Sequence, residues 1–424
     1  MAATAERPRS AISYDDALAY ARETPLEVLD PARWDLFEHD VVLEALGRMR
    51  REAPVHLCPD SVYGPYWSVT RWQDIRDVEL DPATWSSDAT VTLLEPERFP
   101  LETPSFITMD GPEHDHQRRI VRPSVSRANL RNLEPTIRER AGAMLDALPV
   151  GDDFDWVDRV SIELTTQMLA TLFDFPFEER RKLTWWSNVM TGGTANGVVE
   201  TKQQRKDELL DCLASFQEIW DDRAGRAPAN DLISMLAHAP ETADMHERPM
   251  ELLGNVMLLI VGGNDTTRNS ITGGVLALNR FPDQFEKLRA NPDVIPNLAH
   301  EIVRWQTPLA YMRRTATKDT ELGGRKVRAG DKLAMWYLAA NYDEDVFPDG
   351  EKLLIDRPNA KANLSFGFGT HRCMGEHLAL MQLRVLWEEI LARFSHVEVV
   401  SDPIRTRSSF VRGYQEMRVR VHPK

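Results

Sequence analysis

Cys373 sits in the stretch SFGFGTHRCMG (365–375), where glycines at 367, 369 and 375 surround one histidine and one thiol. Such a cysteine is a buried filler, a nucleophile, half of a disulfide, or a metal ligand. The chain has two other cysteines, Cys58 and Cys212. No CxxC pair or finger spacing occurs, which argues against a disulfide framework and a zinc site. A nucleophile needs a base. His371 is so near in sequence that the two rarely converge in that way. A phosphate cradle would need a Walker lysine, and none follows the glycines. Gly367, Gly369 and Gly375 admit backbone shapes closed to other residues and let a partner approach closely. The residues after Cys373 read as a helix start, whose N–H groups and dipole favour a thiolate. An anionic, desolvated sulfur of this kind suits an axial ligand to haem iron.

FGFGTHRCMG resembles the haem-binding signature of the cytochrome P450 monooxygenases at Phe366, Gly367, Gly369, His371, Cys373 and Gly375. The resemblance extends over essentially the whole chain. It implies haem b, with Cys373 as the axial iron ligand and Phe366, Gly367, His371 and Gly375 beside the cofactor. Glu301-Ile302-Val303-Arg304 looks like the family's ExxR motif, although the same spacing recurs at Glu95–Arg98, Glu178–Arg181 and Glu286–Arg289. Its place ahead of Trp305-Gln306-Thr307-Pro308 separates it from those copies. In the family this pair locks onto an arginine of the irregular segment before the cysteine, here Arg357. One departure is Leu353-Leu354, where the family usually carries Phe-Asp.

Haem propionates need cations or strong donors when buried. Asp110-Gly111-Pro112-Glu113-His114 followed by Arg118 resembles the family's propionate segment, and the spacing of His114 and Arg118 puts both on one helix face. Arg314 matches the family's strand arginine; Arg313 points the other way on a strand. His371 is the fourth propionate candidate. Gly262-Gly263-Asn264-Asp265-Thr266-Thr267 resembles the oxygen-activation segment of the family's long helix. There Gly262 and Gly263 lie against the cofactor, Thr266 donates a hydrogen bond to the oxygen site and Asp265 relays protons from solvent. Without that reading the segment is a kink in a buried helix.

The segments 262–284 and 301–324 resemble one subgroup, the soluble bacterial terminal hydroxylases of medium-chain alkanes and fatty acids. Leu258, Val261, Leu309, Met312, Phe410 and Val411 fall where the family lines its substrate pocket. Each is equally suited to core packing, and a terpene or steroid pocket would use the same residue types. A haem-thiolate peroxygenase and a haem sensor are the other readings; Asp265 and Thr266 argue against both.

Most of the chain carries the helical spacing that must position these groups. Helices are expected over 127–150, 158–173, 205–223, 249–281, 284–291, 294–306 and 374–394. A strand pair is expected within 55–69, turning at Tyr63-Gly64-Pro65, with short strands over 310–340 and a hairpin over 396–423. Residues 341–364 read as an irregular meander. The fold class is mainly α with a small β portion. The resemblance implies the P450 fold, a triangular helical domain with short β-sheets, as one domain over 1–424 with a flexible segment at 1–20.

The 424 residues carry 51 basic and 66 acidic side chains, a net charge of −15. That bulk field disfavours nucleic acid and anionic lipid. The N-terminus has no apolar signal core and no stretch approaches a membrane span, so a cytoplasmic protein is expected. The chain has no flavin or dinucleotide fingerprint and no Fe–S spacing. The resemblance therefore implies a ferredoxin and a ferredoxin reductase as electron donors, docking near Arg372, with O2 and a hydrophobic small molecule as substrates.

Overall fold

The computed structural model describes residues 12–95, 101–192 and 197–424. Its organising element is the helix Pro249–Arg280, 32 residues long. Pro249 suits a first turn, where its missing N–H would have no partner anyway. The helix runs through Gly262 and Gly263 without a break; burial on most sides outweighs their poor propensity. Glu163–Phe173, Arg181–Thr191, Ile295–Gln306 and Glu376–Arg393 all pack on it. The helix Ile295–Gln306 ends at Thr307, whose φ of 41° breaks the spiral ahead of Pro308.

A five-stranded sheet lies beside the helices. Its order is Val55–Cys58, Tyr66–Val69, Lys332–Met335, Met312–Ala316 and Trp85–Ser86. The first pair is an antiparallel hairpin with Val55 opposite Val69, and Gly64 takes a positive φ at its turn. Tyr66–Val69 and Lys332–Met335 run parallel. In the next pair Arg314 stands opposite Leu333, a register that fixes which arginine of the Arg313-Arg314 pair faces the helices. Leu353, Ile355 and Leu364 bury themselves along the otherwise irregular segment before the cysteine.

Four expectations are corrected. Residues 1–11 lie outside the described residues, but 14–20 are not a flexible segment. They belong to the helix Tyr14–Glu23, which Ser13 and Asp16 cap reciprocally and which buries Ala17 and Ala21. The expected helix over 158–173 opens with a wider π turn, Val157–Ile162. The helix after the cysteine starts at Glu376, so Met374 and Gly375 precede it. The C-terminal hairpin pairs Phe394–Val399 with Arg418–Pro423, and its connection holds a second pair, Ile404–Arg405 with Tyr414–Glu416. Among the described residues no helix is long and apolar enough to cross a membrane.

Candidate active site

The cysteine loop is closed by its own backbone. Gly367 N–H donates to Leu364 O at 2.8 Å, and Cys373 N–H donates to Phe366 O at 2.7 Å. Gly367 and Gly369 have φ of 65° and 62°, which side chains other than glycine adopt only with strain. The Gly375 N–H donates to Cys373 Sγ. Cys373 retains accessible surface although it lies deep among protein atoms, because that surface faces an internal cavity. Burial raises its thiol pKa; the Gly375 N–H and the guanidiniums of Arg118 and Arg372 oppose this without reversing it. A metal cation bound at the sulfur would favour its thiolate form.

A buried carboxylate holds the loop from behind. Glu301 accepts from Arg304 Nε and Nη2, both at 2.8 Å, and from Arg357 Nε at 2.9 Å. Arg357 Nη2 donates to Asp349 O at 2.9 Å, and Arg304 Nη1 to Asn341 O at 2.7 Å. Asn341 then reaches the loop: its Oδ1 accepts from Leu364 N–H at 2.7 Å and its Nδ2 donates to Ser365 Oγ at 2.8 Å. Leu354, at the departure from the family pattern, acts through its backbone: its N–H donates to Glu301 Oε1 at 3.0 Å and its carbonyl accepts from Arg357 N–H at 2.9 Å.

The cavity lies between this loop and the long helix. It holds about 1450 Å³ of space not filled by atoms, part of it continuous with solvent. Cys373, Phe366, Gly367, His371 and Gly375 line it from the loop, and Gly262, Gly263 and Thr266 from the helix. Arg118 and Arg314 also face it. His114 does not line it. Its ring is fully buried behind His371, with centroids 4.3 Å apart, and its Nε2 has no hydrogen-bond partner. Burial pushes the His371 imidazole down, and Arg314, His114 and Arg118 push it further, to about 2. Two guanidiniums and two imidazoles thus converge on one edge of the cavity.

A family model, Cytochrome P450, matches residues 150–419. The linalool 8-monooxygenase of Pseudomonas putida is 33% identical over 92% of this chain and 98% of its own length. The methyl-branched lipid omega-hydroxylase of Mycobacterium bovis is 30% identical over 94% of this chain and 95% of its own. The solved structure of cytochrome P450-153 from Novosphingobium aromaticivorans superposes with a TM-score of 0.87 at 43% identity, covering 93% of this chain and 99% of that one. The chain belongs to the cytochrome P450 family. It is an oxidoreductase, a monooxygenase of hydrophobic substrates that takes electrons from redox partners.

Members of this family carry haem b, and the residues of this P450 fit it. The cavity has a thiol on one wall and, at its edge, the guanidiniums of buried Arg314 and half-buried Arg118, which suit an anionic guest. The unpartnered His114 Nε2 lies in that same cluster. Gly262 leaves the space open on the long helix, since a Cβ there would meet nothing within 4 Å. Gly263 also lines the cavity, but its missing side chain serves packing: a Cβ would sit 2.6 Å from Leu169 Cδ2. The two neighbours differ because successive helix residues point about 100° apart.

Thr266 donates its hydroxyl to Gly262 O at 2.7 Å. Asp265 is buried on the other side of the helix, away from the cavity. Its Oδ1 meets Arg268 Nη2 at 2.9 Å and Asn264 Nδ2 at 3.1 Å, and its Oδ2 accepts from Thr191 Oγ1 at 3.1 Å. Thr191 and Arg268 line a second, more polar space together with Asn188 and Ser408.

Of the expected substrate residues, Leu258, Leu309 and Met312 line the main cavity. Val261, Phe410 and Val411 do not. Phe410 packs edge-on against Tyr311 at 5.4 Å, and Val411 bridges Leu309 and faces the second space. The main walls are completed by Phe106, Leu169, Leu172 and Leu232, which the sequence leaves unmarked because their helical spacing is that of any core helix. Arg313 pairs with Glu95 at 3.0 Å, away from the cavity. Arg372 is part-exposed and pairs with Glu376 at 2.9 Å.

Proposed function

We propose that this P450 hydroxylates the terminal methyl of medium-chain n-alkanes, and of fatty acids less well. The observation that carries the reading is the make-up of the cavity wall. Away from the loop most of it is apolar, with Phe106, Leu169, Leu172, Leu232, Leu258 and Leu309 beside a few hydroxyls of the long helix. Among the described residues its charged side chains are Arg118 and Arg314, and these belong to the propionates. A substrate carboxylate would then find no cation, and burying it unpaired is costly. The similarity to an enzyme named for omega-hydroxylation supports attack at a chain end.

Haem supplies oxygen activation and C–H oxidation when bound. Cys373 would hold its iron through the sulfur. Arg118, Arg314 and His371 hold its propionates, with His114 behind them. Phe366, Gly367 and Gly375 would lie beside it on the cysteine-loop wall, and Gly262 with Gly263 on the wall of the long helix. Thr266 would release its hydroxyl from Gly262 O and pass a proton into the cavity. Asp265, its carboxylate held by Arg268, would resupply protons drawn from the second, polar space through Thr191, which is general acid catalysis. The apolar walls hold one chain end near the oxygen site, overriding the greater reactivity of internal C–H bonds by position. The electrons come from a ferredoxin and its reductase, docking at the cysteine-loop face around Arg372.

A terpenoid alcohol is the second reading. It is favoured by the similarity to linalool 8-monooxygenase and by the Thr267 and Ser270 side chains in the cavity wall. Turnover with a ferredoxin and reductase on an n-alkane, the fatty acid of equal chain length and linalool separates the two. The expected result is a primary alcohol from the alkane, formed faster than the omega-hydroxy acid. Subterminal mixtures, or linalool turnover alone, would overturn the reading.

A further inference from the structure

The helix Trp72–Leu80 packs against the cysteine loop at Gly369–His371. Trp72, Arg76 and Glu79 are spaced to share one face. Trp72 Nε1 donates to Ala362 O at 2.9 Å, just ahead of the loop. The Arg76 guanidinium stacks 4.2 Å over the Phe368 ring and 4.6 Å over the Trp72 ring. Glu79 is buried. One carboxylate oxygen accepts from the Phe368 N–H and the other from the Tyr337 hydroxyl. The second oxygen also faces Arg314 Nη2 at 3.7 Å. The Glu79 carbonyl occupies the place of a side chain at Gly369, where a Cβ would come within 2.2 Å of it.

We propose that Glu79 is a positioning residue for the haem: it fixes the Gly367–Gly369 turn through the Phe368 N–H and, as counter-ion to Arg314, sets the charge felt at the cofactor. The proposal rests on the reading that Cys373 ligates haem in this cavity. A buried carboxylate is costly unless paired, and packing alone would have been served by an apolar residue. Burial raises the Glu79 pKa, while Arg314 and the two hydrogen bonds pull it back. Of the two guanidiniums that line the cavity among the described residues, Arg314 is the one paired with Glu79, so it would transmit the charge to the cofactor. A negative charge near the haem disfavours adding an electron, because like charges repel strongly in a low-dielectric interior.

The test compares holoenzymes of the wild type, Glu79→Gln, Glu79→Asp and Arg314→Gln. The readouts are the reduced-CO spectrum and the midpoint potential in a dye titration. The wild type is expected to show the thiolate-ligated reduced-CO band. Glu79→Gln should move the potential positive and raise the fraction of thiol-ligated band; Arg314→Gln should move the potential negative. Glu79→Asp keeps the charge with a shorter reach, so it should keep the potential and raise the thiol-ligated fraction. It also serves as the measurement if Glu79→Gln fails to take up haem. Wild-type potential and band in Glu79→Gln, or in its place wild-type band in Glu79→Asp, would overturn the proposal. A wild type without the thiolate band would instead overturn the haem-thiolate reading beneath it.

Discussion

Glu301 and Arg357 lie 56 positions apart in the chain and 2.9 Å apart in space, with Arg304 on the same carboxylate. Three buried charges share one site, and every Arg304 and Arg357 donor bond described ends on Glu301 or a backbone carbonyl of the meander. Removing one partner leaves a buried charge uncompensated, at about 3–5 kcal/mol. Arg357→Ala is expected to yield protein that takes up little haem, measured as the reduced-CO band per mole of chain. Normal haem content in that variant would mean the meander does not hold the loop.

Gly369 and Gly262 make opposite predictions. At Gly369 a side chain meets the Glu79 carbonyl, and φ is 62°. The left-handed backbone alone costs about 1–2 kcal/mol for alanine, and the clash adds to it. Gly369→Ala should lower melting temperature and haem content together. At Gly262 a Cβ meets open space, so Gly262→Ala should keep both and weaken substrate binding, read as a reduced spin-state shift on substrate titration.

The proposed proton route by way of Asp265 and Thr266 gives a kinetic prediction. Asp265→Asn keeps the shape and removes the titratable carboxyl. General acid groups contribute about 10²–10⁴-fold, so product formation should fall by about a hundredfold or more, with a larger solvent deuterium isotope effect. Electrons already delivered should leave as hydrogen peroxide, measured per NADH consumed. Unchanged coupling of electrons to product would remove Asp265 from the proton route.

Acid sensitivity should centre on Asp40. Burial alone would raise its carboxyl pKa, but Arg405, Arg412 and Arg280 outweigh burial and hold it below the ordinary value. Arg405 Nη2 lies at 2.5 Å and Arg412 Nη2 at 3.2 Å. A carboxyl depressed on folding stabilises the native state above its unfolded pKa, about 3.9. That stability is lost as pH falls through the lower folded value. Asp40→Asn should cost about 3 kcal/mol at neutral pH and flatten the fall in stability below about pH 4. Urea melts across that range check both, and parallel wild-type and variant profiles would contradict it.

How much of this was legible in the residues depends on whether a role is set by local spacing. Cys373 and its glycines form one short stretch, and Arg357 follows the same order even though Leu353-Leu354 departs from the family pattern. Leu354 contributes a backbone N–H, so its side chain carries no signal. Gly262 and Gly263 read alike in sequence; only the helix phase puts one against open space and the other against Leu169. Phe410, Val411 and Val261 read as pocket residues because cavity walls and cores use the same apolar types. Glu79 was invisible for a different reason. Its partners Phe368, Tyr337 and Arg314 lie hundreds of residues away, and only tertiary packing assembles them.

The central claim is that this fold exists to hold Cys373 as the axial thiolate of a haem. The measurement that tests it most directly is the reduced-CO spectrum of purified wild type beside Cys373→Ala. The account predicts the thiolate-ligated band in the wild type and its complete loss in the variant, whatever residual haem the variant binds. The same band persisting in Cys373→Ala would contradict it.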